Sequence, residues 1–94
     1  MKHQRHFDTS EVVQREAVKI RKMIVDLDRT VQLLNCDIGT EEERARISDR
    51  SDAAYPILAR VLAARRDNLW ETITALEQRL SKLDQAETLV AEPA

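Results

Sequence analysis

His3 and His6, spaced as HxxH with Asp8 close behind, are the first residues in the chain able to bind a metal, because neutral imidazole and carboxylate are ordinary zinc or nickel ligands. The set lacks a fourth ligand and lies in a stretch without helical or strand period, so no metal or other cofactor is expected. Cys36 is the only thiol. It sits beside Asp37 near the expected end of a helix, far along the chain from both histidines, and reads as structural or incidental rather than as a nucleophile. Asp26 and Asp28 are two positions apart, so on a helix they point to different sides and cannot share a substrate. The segment DLDRT lacks the glycine and later glutamate of a calcium loop, and one glycine in the whole chain cannot build a phosphate cradle. The paired Glu-x-x-His segments of di-iron bundles are missing too. With no visible carrier of catalysis, the chain reads as a non-enzyme.

The most suggestive charge pattern is basic. Arg15, Lys22 and Arg29 recur every seven residues with Lys19 beside them, and Arg60, Arg65 and Arg66 extend the set if the helices lie side by side. Such a stripe could track the phosphates of a nucleic acid or another polyanion. Against that, Glu11 and Asp26 are placed to pair with it and no aromatic side chain interleaves it for base stacking. The total charge of -2, from 15 Lys and Arg against 17 Asp and Glu, adds no attraction for polyanions.

These residues must be positioned by helices. In 94 residues there are one glycine and two prolines, too few for a turn-rich β architecture, and aromatics make up 3%. The core has to come from Leu, Ile, Val and Ala. The single cysteine excludes an internal disulfide framework and, with no apolar leader after Met1, favours a reducing cytoplasm. No stretch approaches the roughly 20 apolar residues of a membrane span, so no membrane partner is expected.

A helix start is signalled at Asp8 as N-cap, with Ser10 as its rival, Glu11 completing a capping-box pair and Phe7 stapling onto Val12. From Val13 the aliphatics Ala17, Ile20, Ile24, Leu27, Val31, Leu34 and Ile38 alternate at spacings of four and three, the heptad signature of a helix buried along one stripe. Gly39 follows as a left-handed C-terminal cap, ending a helix of residues 8–38. The connection 39–52 is expected to be short helical or irregular: Thr40 and Glu43 offer a second capping box, and Asp52 caps a last helix of residues 53–84 with Pro56 in its first turn. A single kinked helix from Glu41 onward is the rival reading. In the last helix Leu58, Leu62, Leu69, Ile73, Leu76, Leu80 and Leu83 keep helical spacing, with Arg65 or Arg66 filling the gap and a stutter between Leu62 and Leu69. Residues 1–7 and 85–94 read as flexible ends.

The expected fold is all-α, an antiparallel, coiled-coil-like two-helix hairpin in which Phe7 falls near Leu80 and Leu83, and Arg65 near Asp26 and Asp28. A hairpin shields one stripe per helix, and a domain this small is near the limit at which its core offsets chain entropy. Val18, Val25, Val61 and Trp70, with Met23 and Leu33, are left off the seam, and the first four are the candidate dimer or partner contacts that would close a four-helix bundle. No residues here assign a family. The preferred reading is a non-catalytic, cytoplasmic protein-interaction module, an adaptor, chaperone-like or regulatory homodimer with an unknown protein partner; the alternative is polyanion binding through Arg15, Lys19, Lys22 and Arg29. Ile24→Asp is expected to abolish most helicity, since an unpaired carboxylate in an apolar seam costs several kcal/mol; circular dichroism unchanged from wild type would show the seam to be misplaced.

Overall fold

The computed structural model describes residues 9–91, with side chains through Ala86. It is an all-α hairpin of two long helices, α1 (Thr9–Ala45) and α2 (Ile57–Ala91). The seam of α1 is where the aliphatic spacing puts it. Val13, Ala17, Ile20, Val31, Leu34 and Ile38 are buried, and Ile24 and Leu27 are half-buried. Asp8, Phe7 and the two histidines lie outside the described residues.

The described chain packs as two compact units, one formed by its outer stretches, ending at Val25 and resuming at Thr74, and one by Asp26–Ile73. In the first, Val13, Ala17 and Ile20 are buried while Leu76, Leu80 and Leu83 are half-buried. Exposed ion pairs join its strands of chain: Arg79 to Glu16 at 3.2 Å and Arg21 to Asp84 at 3.7 Å. Pairs this exposed contribute about 0–1 kcal/mol each and orient more than they stabilise. In the second unit Ile38, Tyr55, Ala59 and Ala63 form the core, with Ile47 and Leu62 packed against it. Asn35 there meets Arg66, and Glu42 meets Tyr55, so one number rises as the other falls and the helices run antiparallel.

Four expectations about this region are corrected. First, α1 does not end at Gly39 but continues to Ala45; Gly39 has an ordinary helical φ, and a Cβ built on it meets nothing within 4 Å. The left-handed cap is Arg46, with φ of 59°. Its amide donates to the Glu43 carbonyl and the Ile47 amide to the Glu42 carbonyl, both at 3.2 Å, which together make a Schellman turn. Ile47 then packs against the Tyr55 cluster, and that burial offsets the strain of a side chain in the left-handed region.

Second, Thr40 is no N-cap. Its hydroxyl donates back to the Cys36 carbonyl at 3.0 Å inside the helix, and residues 41–45 belong to α1 rather than to a separate or kinked helix. Third, α2 starts at Ile57, not residue 53, and its helix runs to Ala91. Asp52 instead organises the turn before it: its carboxylate accepts from the Ala54 amide at 2.8 Å and its carbonyl from the Tyr55 amide at 3.0 Å. Pro56, lacking an amide hydrogen, supplies the carbonyl that accepts the first helical bond from Arg60. Asp49 makes a similar local turn, accepting from the Ser51 amide and hydroxyl, which hold its carboxyl below the usual range.

Fourth, α2 has no stutter. Leu58 is 52% exposed, and its place is taken by Ala59, which is fully buried. Tyr55, Ala59, Leu62, Arg66, Leu69, Ile73, Leu76, Leu80 and Leu83, all buried or half-buried, then alternate at four and three without interruption. Because the first helix is longer than expected, the chain reverses later and the pairing shifts. Arg66, not Arg65, occupies the seam, and it faces Asn35 rather than Asp26 or Asp28.

The Tyr55 hydroxyl donates to the Glu42 carboxylate at 2.6 Å. That bond first, and burial second, hold the phenol above the usual tyrosine range. The bond favours the protonated phenol only in the folded chain, so its contribution is complete below the unfolded value, about pH 10, and disappears as pH rises through the higher folded value. Tyr55→Phe should therefore lower Tm at pH 8, with the gap to wild type narrowing as pH is raised above about 10; a gap independent of pH would contradict the assignment. Gly39→Ala and Arg46→Gly should each raise stability by about 0.5–1 kcal/mol in urea unfolding, the first by reducing the backbone freedom of the unfolded chain at a helical position with room for a Cβ and the second by relieving the left-handed side chain. Destabilisation by either would place the end of α1 elsewhere.

Candidate interaction surface

Among the described residues no group of three or more His, Cys, Asp or Glu is placed to hold a metal. The His3, His6 and Asp8 set lies outside them. Cys36 is exposed on α1, and Asp26 turns to Arg29 at 3.9 Å while Asp28 is exposed. No buried side-chain polar atom among the described residues is left without a partner, so no desolvated donor or acceptor is aimed at a ligand.

The basic residues of α1 are half engaged. Arg15 pairs with Glu11 at 3.3 Å and Arg29 with Asp26, whereas Lys19 and Lys22 form no ion pair among the described residues. All four are exposed. Each acid that pairs with the stripe would have to be displaced or tolerated by a phosphate, which weakens the counterion-release gain on which polyanion binding depends.

Arg66 carries the most elaborate polar arrangement of the second unit. Its side chain is 15% exposed. It donates to Asn35 Oδ1 at 3.0 Å and to Asp67 Oδ1 at 3.1 Å, and its guanidinium lies 4.5 Å from the centroid of the Trp70 ring. This is how an arginine is accommodated on an aliphatic stripe: the stem is buried, the charge reaches the edge, and an aromatic face and a carboxylate receive it. Trp70 is 45% exposed, with one ring face already taken by Arg66.

The surface feature that remains is apolar. In the first unit Val18 and Val25 stand in solvent one heptad apart on α1, with Val12 and Met23 elsewhere on the same helix. In the second unit Ile57, Leu58 and Val61 are exposed by 79, 52 and 58%. Spacings of one and four residues place these three on a single outer face of the first turns of α2, opposite the buried Ala59 and Ala63. Leu33 is exposed as well. Of this patch, reasoning from the sequence singles out only Val61. The leucine spacing puts Leu58 on the seam and gives no sign of Ile57; the signal that corrects it is that an alanine at 59 keeps the four-and-three alternation that a leucine at 58 breaks. No protein-family model, no curated protein and no solved structure matches the chain.

Proposed function

We propose that this protein is a non-catalytic helical interaction module, acting in the cytoplasm as a homodimer whose two hairpins join in a four-helix bundle, with the role of an adaptor, a chaperone-like protein or a regulator. The observation that carries the reading is the set of large aliphatic side chains left in solvent off the seam: Val18 and Val25 on α1, open to a second copy, and Val61 with its neighbours on α2, open to another protein. Single exposed aliphatics are ordinary on a monomer, but repeats along one helix face are what a second helix covers. The chain's small size supports the same conclusion, because a second hairpin would bury apolar area that one hairpin cannot. Trp70 is a weaker anchor than Val18 and Val25, since Arg66 occupies one of its faces.

Light scattering at micromolar concentration should give about twice the 10.8 kDa of the chain. Val18→Asp with Val25→Asp should return it to the single-chain mass with helicity retained, because both residues point away from the seam. A wild-type chain of single mass at these concentrations would remove the dimer.

A further inference from the structure

From Ala53 to Arg66 the chain contains three arginines and no acidic residue, and the first turn of α2 lacks the carboxylate that commonly offsets the positive end of a helix. Here stand Ile57, Leu58 and Val61, the most exposed aliphatic cluster on α2 among the described residues. Arg60 and Arg65 border it and are exposed; neither takes part in an ion pair among the described residues, Arg60 lying over the Tyr55 ring at 5.2 Å. Six other arginines, Arg15, Arg21, Arg29, Arg44, Arg66 and Arg79, each have a carboxylate, whereas Arg46 and Arg50 of the reversal, like Arg60 and Arg65, take part in no ion pair among the described residues. A cluster of aliphatics edged by two unneutralised guanidinium groups is complementary to a surface with the opposite edge.

We propose that the face formed by Ile57, Leu58 and Val61 binds an acidic amphipathic helix of another protein. The partner's aliphatic side chains would sit on the three residues, and its glutamates or aspartates would meet Arg60 and Arg65. A second copy of this chain does not fit the face. A two-fold contact brings a patch onto itself, and Arg60 and Arg65 would then face their own copies without an acid from the same segment to separate them. Self-association is thereby left to the Val18 and Val25 face of α1. The proposal rests on the interaction-module reading, and it names the partner's chemistry.

The test uses the full chain and two synthetic helical peptides with the same leucine stripe, one flanked by glutamates and one by lysines, together with phosphatidylglycerol vesicles. Fluorescence anisotropy should show saturable binding of the glutamate peptide that weakens as salt is raised, and little binding of the lysine peptide. Ile57→Ser with Val61→Ser should weaken it by at least about tenfold without loss of helicity, as removal of central apolar anchors does. Arg60→Glu with Arg65→Glu should reverse the preference in favour of the lysine peptide, a gain that damage to the fold cannot produce. Equal binding of both peptides, binding untouched by these substitutions, or capture by the vesicles in place of the peptide would each overturn the proposal. Loss of peptide binding by Val18→Asp with Val25→Asp would mean that the wrong face has been assigned. Absence of peptide binding by a chain that still runs as a dimer would remove this inference and leave the interaction-module reading standing.

Discussion

Two apolar stripes that repeat at alternate spacings of four and three residues govern everything else in this chain. Each helix carries one, and in each of the two units buried or half-buried members of both stripes are found together. In the second unit the match is close enough for Ala59 and Ala63 to be almost wholly buried against Ile38 and Tyr55. Small side chains at that contact let the helix backbones approach, while the Tyr55 ring and Ile47 fill the end. The single charged member of either stripe, Arg66, is tolerated because its head leaves the apolar layer for Asn35, Asp67 and Trp70.

The reversal between the helices is held differently. Its hydrogen bonds are nearly all local: Asp49 to Ser51, Asp52 to Ala54, and the two turn bonds from Asp52 and Tyr55 amides. Local bonds define a path but do not by themselves anchor it. Anchoring comes from either side, from Ile47 in the apolar cluster and from the Tyr55 hydroxyl on Glu42. The left-handed Arg46 lies between them, at a position where glycine would be unstrained, and the chain's one glycine stands seven residues earlier in the helix interior.

That displacement explains what could and could not be seen in the residues alone. The stripe from Val13 to Ile38 is legible because every member is a distinct aliphatic at the right interval. The end of α1 is not, because Gly39 carries the strongest local stop signal in the chain while the true stop depends on Ile47 reaching a cluster formed by residues 55 to 63. Likewise Leu58 outweighs Ala59 on any scale of hydrophobicity, yet the alanine fits the contact and the leucine does not. The pairing of the helices inherits both effects. The exposed patch on α2 follows from the same swap: once Ala59 is inside, Ile57 and Leu58 must be outside.

The two units differ in how much chain must close to make them. Asp26–Ile73 is contiguous, whereas the other joins stretches separated by all of it. The entropy lost in closing a loop grows with the logarithm of its length, so in an unfolded chain the contiguous part has the smaller barrier. Once it has formed, the distant ends are tethered near one another and the remaining layers can zip up in sequence. The ribosome would also complete the contiguous unit first, with Glu16 waiting for an Arg79 not yet synthesised.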